Sequence, residues 1–425
     1  MRRGARWVAI TAASAVLCGG IAIAAADSPA GKPVPRLLQG GVAADPAAPG
    51  GRRSLPGDAD PGQPDAAEAA WLAAGRIPGG AAYRGMAERA LLDLRLLTSP
   101  DGTVAAAWHP VWDYMWPRDA AWVAAAYTAT GHGADALAVL RRLAALQNAD
   151  GTWEARYRLD GGHVGDGRTA QLDGSGWVPW AVWFWYAYQA PADPAAAAAL
   201  DELWPAVAAA ADRAAGSLRG NGLPPAGPDY WETRTDQVTL GTAAPLLAGL
   251  RGAADLAAKR GDSAAAQRWS QAADRLAAGV RGTFGPHGYP RTPTARSGAD
   301  TAVTWLGPPF AAPAADVTAA VRDAEQELTL PNGGILPGGD WRGRKDVAWT
   351  PETASFALFD AASGAREAAD RRLAWLDRHR TGYGSLPEKV DAEGRPASVA
   401  PLAWTAATVV LALAAQETPL PVLPG

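Results

Sequence analysis

Cysteine is almost absent: Cys18 is the single one among 425 residues. It lies in an N-terminal apolar run, so a chain trimmed after that run holds no thiol, which excludes disulfide bridges and thiol nucleophiles. Histidine is scarce too. The five His are scattered singly, and none forms H-E-x-x-H or another ligand-spaced pair, so neither a metal nor any other cofactor is expected. Positive charge is in deficit: the formal balance is −4, and losing Arg2, Arg3 and Arg6 with residues 1–26 takes it to −7. An acidic surface argues against nucleic acid and anionic membranes as partners. No convincing run of alternating apolar and polar residues appears, so a β-sandwich or β-barrel is not expected.

The N-terminus reads as an export signal. Arg2, Arg3 and Arg6 precede the apolar run, and Ala24-Ala25-Ala26 supplies an A-x-A cleavage site before Asp27. The expected location is therefore extracellular, with an uncleaved membrane anchor as the alternative reading of the same run. Leu17 before Cys18 argues against a lipoprotein signal, and Arg2-Arg3 alone is weak evidence for twin-arginine export. Residues 27–66, rich in Pro, Gly, Ala and Asp, read as a flexible tether. Residues 67–418 form the expected folded unit, and 419–425 a short tail. No second folded domain is expected, and the expected state is a monomer.

Within that unit, apolar period and breakers mark twelve helical segments: 83–98, 118–131, 133–148, 175–189, 195–218, 239–260, 263–283, 300–310, 316–329, 350–363, 365–380 and 401–415. Even-numbered helices are followed by short connections. Each is preceded by a longer stretch rich in Gly, Pro and aromatics, such as Ala107–Pro117, Gly161–Gly174, Asn221–Val238, Pro331–Thr350 and Thr381–Ala400. Tight turns at one end and long loops at the other suit two concentric helix layers. The spacing predicts an all-α (α/α)6 barrel, a six-hairpin toroid with the even helices inside and a pocket at the long-loop end.

Tryptophan is abundant, with 19 residues. Many suit a large aromatic core. Trp112, Trp116, Trp153, Trp177, Trp231, Trp341 and Trp349 lie instead beside Gly, Pro and charges, where a ligand is the better explanation. Tyr114-Met115-Trp116-Pro117-Arg118-Asp119 is the most informative stretch. Aromatic faces suit the C–H faces of a sugar, and an adjacent Arg and Asp suit its hydroxyls. The same Pro and Asp are also ordinary signals of a helix start, and Arg118-Asp119 equally fits a simple buried ion pair.

Two glutamates stand out. Glu232 lies in Tyr230-Trp231-Glu232-Thr233-Arg234, before the sixth helix; Glu388 lies in Leu386-Pro387-Glu388-Lys389, before the twelfth. In a six-fold inner ring those two helices face each other across the axis. That sets one carboxyl on each side of a pocket, as hydrolysis of a glycosidic bond with inversion requires. Tyr230 and Trp231 would desolvate Glu232 and favour its acid form, whereas Lys389 would keep Glu388 ionised as a base. Each Glu also fits a simple helix-dipole role. Asp173 and Trp177 open the fourth helix, Asp173 as a binding residue or a plain N-terminal cap. Trp341, with Asp340, Arg344 and Lys345, occupies the loop before the tenth.

In Trp116-Pro-Arg-Asp-Ala120, Gln171-Leu-Asp-Gly174, Tyr230-Trp-Glu-x-Arg234 and Leu386-Pro-Glu388, in that order and before those helices, the chain resembles glycoside hydrolase family 15, the glucoamylase-like enzymes. The resemblance covers most of 83–415 and implies an (α/α)6 barrel, inversion, Glu232 as general acid and Glu388 as general base. It implies Arg118 and Asp119 as ligands of the terminal sugar, with Tyr114, Trp116, Asp173, Trp177, Trp231, Arg234 and Trp341 around the substrate. Departures are Thr233 where a second carboxylate is frequent, Lys389 where Gln is frequent, and Leu336–Trp341 where an Arg near a Tyr is usual. They bear on the sugar and linkage more than on the reaction.

The leading expectation is an exo-acting hydrolase of α-glucosides (maltooligosaccharides, isomaltooligosaccharides or trehalose) that releases glucose. The first rival is a non-catalytic saccharide-binding protein on the same scaffold. The second is an elimination enzyme for acidic polysaccharides, disfavoured by the acidic balance and the lone His residues.

Overall fold

The computed structural model describes residues 33–190, 192–294 and 296–424. The export-signal reading of 1–26, with Cys18, falls outside them.

Twelve α-helices are present among the described residues: α1 (Ala66–Ala74), α2 (Gly80–Leu97), α3 (Pro117–Ala129), α4 (Gly133–Ala145), α5 (Gly174–Ala187), α6 (Pro194–Ser217), α7 (Leu240–Lys259), α8 (Ser263–Thr283), α9 (Ala315–Leu328), α10 (Thr350–Ala362), α11 (Arg366–Arg378) and α12 (Ala403–Glu417). They do not map one to one onto the twelve expected segments. Segment 300–310 is a 3-10 turn at Thr301–Leu306, started by Asp300, which accepts the Ala302 N–H, and stopped by Gly307-Pro308-Pro309. Two successive prolines cannot supply the N–H groups a longer helix needs. Conversely, α1 was not expected. Its signal was present as a capping box, with the Asp65 side chain on the Glu68 N–H and the Glu68 side chain on the Asp65 N–H.

The inner layer closes on itself. α3 packs on α5, α5 on α7, α7 on the 3-10 turn, the turn on α10, α10 on α12, and α12 on α3. These helices are buried almost all round, which requires apolar or small residues on every face; α3 and α12 are accordingly rich in Ala. Outer helices such as α4, α8, α9 and α11 bury one stripe only. The all-α (α/α)6 toroid is thus the observed fold, with the 3-10 turn as the fourth inner member.

The axis is filled, not hollow. Trp122, Trp177, Trp180, Trp305 and Phe310 meet edge-on or tilted, with centroids 5.0–5.7 Å apart. Such aromatic pairs add specific geometry to large buried area. The plug leaves only the end where the inner helices begin, which is also the long-loop end. Short strands stiffen that rim. β3 (Tyr114–Met115) pairs with β4 (Tyr157–Arg158), and β5 (Ala348–Trp349), β6 (Lys389–Val390) and β7 (Pro396–Ala397) form an antiparallel sheet.

The tether reading of 27–66 does not hold for its described part. β1 (Gly41–Ala44) pairs with β2 (Arg52–Leu55), and Val42 is fully buried. Leu38 N–H donates to the Ser398 carbonyl at 2.6 Å, Ser398 N–H to Arg36 at 2.9 Å, and Gln39 Nε2 to Ala400 at 3.0 Å. Backbone pairing needs no large side chains, so composition alone hid this docking.

Candidate active site

α3 organises the site. Trp116 is its N-cap residue, and Pro117, Arg118 and Asp119 make its first turn, all buried. The indole N–H of Trp116 donates to Glu232 Oε1. Asp119, three residues on, is pushed up to about 6 by burial, opposed by Arg118 and reinforced by the charges of Asp173 and Glu388. Glu232 therefore touches this turn through Trp116, and Glu388 lies within electrostatic range of Asp119.

Glu232 is held in an unusual backbone state, with φ of 56°. A non-glycine residue in the left-handed region is disfavoured and persists only where its surroundings enforce it. Here they do. Asp229 accepts the Trp231 N–H on its side chain at 3.0 Å and the Glu232 N–H on its carbonyl at 2.7 Å. Arg291 grips Asp229 at 2.7 Å and Asp300 at 3.3 Å, and its guanidinium lies 3.6 Å from the centre of the Trp231 ring. Tyr230 donates its hydroxyl to Asp300 at 2.7 Å. Burial pushes Asp300 up to about 6 despite Arg291.

Glu388 is buried on the opposite loop. Its Oε2 receives the Ser398 hydroxyl and lies 3.3 Å from Lys389 Nζ, while that ammonium sits 4.0 Å over the Trp349 ring. The expected Lys389 contact is therefore made. Ser398, with φ of 67°, is the residue that the N-terminal segment clamps from behind.

Arg118 donates to Asp173 at 2.8 Å and to Gln171 at 3.0 Å, under the Trp404 ring at 5.3 Å. Asp173 is thus its counter-ion and makes no cap bond to α5. Arg118 Nε is buried without a hydrogen-bond partner. Beside it, Pro117, Glu154, Gln171, Asp173 and Gly174 line a crevice too tight to hold a water molecule. A larger groove of about 820 Å³ lies elsewhere, among Arg322, Glu325 and Arg371 on α9 and α11, and lacks aromatic walls.

An arginine-rich strap covers the Glu232 side. Arg168 pairs with Glu232 Oε2 and, at 3.0 Å, with Asp166; Arg156 holds Asp166 at 2.7 Å and lies over Tyr114 and Trp116 at 4.1 and 5.2 Å. Trp231, Trp341 and Trp349 form an edge-to-face ladder with 5.1 Å steps between the Glu232 and Glu388 loops.

Tyr114, Trp116, Arg118, Asp119, Asp173, Trp231, Trp341, Glu232 and Glu388 are thus brought to one rim. Two expected residues are not. Trp177 is fully buried in the axial plug, because its helix turns that face inward. Arg234 points to solvent, because the chain leaves the site after the Glu232 turn. Of the weaker candidates, Asp340 is exposed, Arg344 pairs with Asp346 and Lys345 donates to the Gly339 carbonyl at 2.7 Å. Arg168, Arg291, Glu352 and Ser398 went unrecognised in the sequence. Only Glu352 carries a sequence signal, that of an acid in the first turn of a helix. Among the described residues no group of His, Cys, Asp and Glu could hold a metal, and no helix is long and apolar enough to cross a membrane.

Trp116→Phe tests the indole contact. It keeps the ring and deletes the N–H on Glu232, a charge-assisted bond worth roughly 1.5–3 kcal/mol. We expect kcat/KM on an α-glucoside to fall about 10-fold or more with the melting temperature nearly unchanged. Wild-type kinetics would show that the bond does not position Glu232.

No family model and no curated protein sequence matches the chain. Solved structures do. A protein described as a glycosidase superposes with a TM-score of 0.66 at 18% identity, over 84% of this chain and 99% of its own. A bacterial glucoamylase complexed with acarbose gives 0.67 at 19%, over 83% of this chain and 58% of that one. The glucoamylase from Saccharomycopsis fibuligera gives 0.64 at 15%, over 79% and 94%. The chain has the glucoamylase-like (α/α)6 fold.

Proposed function

We propose that this protein is a glycoside hydrolase that cleaves α-glucosides from the non-reducing end with inversion. Glu232 is the general acid, Glu388 the general base, and water the nucleophile. What supports the reading is the Trp116 N–H on Glu232 together with the charge of Glu388 felt by Asp119, which draws both carboxyls towards the start of α3. An inverting pair needs its carboxyls about 6.5–9.5 Å apart, with room for a water between them.

The remaining groups fit a sugar between them. Arg118 Nε, ion-paired with Asp119 at 3.7 Å but without a hydrogen bond, is a donor and Asp119 an acceptor for hydroxyls, and the Trp ladder offers C–H stacking surface. Ser398 and Lys389 occupy Glu388 Oε2, which leaves Oε1 for water. Arg168 blocks the Oε2 through which Glu232 would deliver a proton, so the strap must yield when substrate enters. Neighbours in complex with glucose and with acarbose support a saccharide ligand. The N-terminal signal supports action outside the cell.

Proton NMR of the first product tests the mechanism. An α-linked disaccharide panel of maltose, isomaltose and trehalose should yield β-glucose before mutarotation. Early α-glucose would exclude inversion. Saccharide binding without turnover on the whole panel would favour the non-catalytic reading, which the Arg168 contact on Glu232 makes worth testing.

A further inference from the structure

We infer that Glu352 is a specificity-determining residue of this pocket, its free carboxyl oxygen meeting a hydroxyl of the sugar seated beside Glu388. This rests on the proposed saccharide site and adds to it a group that neither the motifs nor the acid–base pair requires.

Glu352 is the third residue of α10, 3% exposed, and its Oε2 is buried with no hydrogen-bond partner. Its position is fixed by the base loop. Trp349 pairs with Lys389 across β5 and β6, and the Thr350 N–H donates to the Glu388 carbonyl at 3.1 Å. The charges that reach it come from three separate segments. Glu388 and Lys389 belong to the base loop, Asp300 precedes the 3-10 turn, and Tyr230, which feels Glu352 in turn, belongs to the acid loop. Glu352 thus sits one turn from the base loop and within electrostatic range of the acid loop.

A buried carboxyl oxygen without a partner is costly, and most buried polar atoms in folded proteins have one. The cost is recovered when a ligand supplies the partner, which is why such atoms gather at functional sites. Glu352 enters that role as the neutral acid. Burial pushes it up to about 8, Glu388 and Asp300 add to the shift, and Lys389 and its own backbone N–H only partly oppose it. The neutral acid supplies both an O–H donor and a carbonyl acceptor, a match for a sugar hydroxyl.

The sign of the stability effect is fixed. The unfolded chain ionises Glu352 near the ordinary Glu value, whereas the fold keeps it protonated up to about 8. Between those values the fold binds the extra proton, so stability falls as pH rises through the window and levels off above it.

The experiment compares wild type, Glu352→Gln and Glu352→Leu, with glucose and maltose as probes in calorimetry at pH 6 and 9, and melting curves across that range. Glu352→Leu should weaken sugar binding about 10-fold or more at pH 6. Wild-type affinity should drop from pH 6 to 9, while Glu352→Gln stays flat. Wild type should also lose melting temperature relative to Glu352→Gln up to about pH 8. Should Glu352→Leu fail to fold, the Gln comparison carries the test. Unchanged affinity in Glu352→Leu, or parallel pH profiles in wild type and Glu352→Gln, overturns the assignment while sugar hydrolysis stands. A wild type that neither binds nor cleaves either sugar removes the saccharide site itself.

Discussion

Glu232→Gln and Glu388→Gln should each lower kcat on the natural α-glucoside by about three orders of magnitude or more, with melting temperatures close to wild type. Gln keeps the shape and hydrogen-bonding reach of Glu but can neither give up nor accept the proton. Substrates separate the two roles. An α-glucosyl fluoride has a leaving group that needs no protonation, so Glu232→Gln should retain far more activity on the fluoride than on maltose. Glu388→Gln should lose activity on both, because water still requires a base. Truncation to Glu388→Ala opens space for azide, and rescue by azide should give the β-glucosyl azide. If Glu232→Gln is equally impaired on fluoride and maltose, Glu232 is not the acid. If either variant keeps near-wild-type turnover on the true substrate, that residue has no catalytic part.

The architecture was legible because helical period and loop length both report on layers. Inner helices must be apolar or small all round, and outer helices carry one stripe. The alternation of long and short connections then fixed which end bears the site. Glu232, Glu388, Arg118 and Asp119 stood out for a different reason: the two Glu lie in long loops before inner helices, and Arg118 and Asp119 open α3 directly after Tyr114 and Trp116. What stayed hidden depends on contacts between segments far apart in sequence. Arg291 meets Asp229 from 62 residues away, and Arg168 meets Glu232 from 64. Ser398 gains its place only because the N-terminal segment pairs with it. Local pattern also misread Trp177. A Trp three residues after the start of an inner helix has no sequence feature that tells pocket from plug; the tilt of the helix decides, and it turns that ring into the axis.

Arg291→Met should be the most damaging single change to the fold, and the reason is electrostatic. Arg291 is 6% exposed, and its partners Asp229 and Asp300 are fully buried. Removing the cation leaves two buried carboxylates uncompensated, which typically costs about 3–5 kcal/mol. The loss should depend on pH in a definite direction. Without Arg291, Asp300, which burial already pushes up to about 6, ionises still less readily in the fold, while the unfolded chain ionises it in the ordinary range. The folded variant therefore binds extra protons near neutrality, and its stability falls as pH rises. Denaturant melts should thus show a larger deficit at pH 8 than at pH 5. Arg291→Lys is the milder companion, since an ammonium restores charge but cannot fork to both carboxylates. Below its melting range it should fold, with a loosened Asp229–Glu232 turn. Because that turn aims the acid, activity on maltose should suffer more than activity on the glucosyl fluoride. Equal losses on the two substrates would mean that Arg291 supports the barrel without aiming Glu232. An Arg291→Met protein within 1 kcal/mol of wild type at pH 8 would mean that those carboxylates are protonated or solvated, and that the buried ion triad does not hold the acid loop.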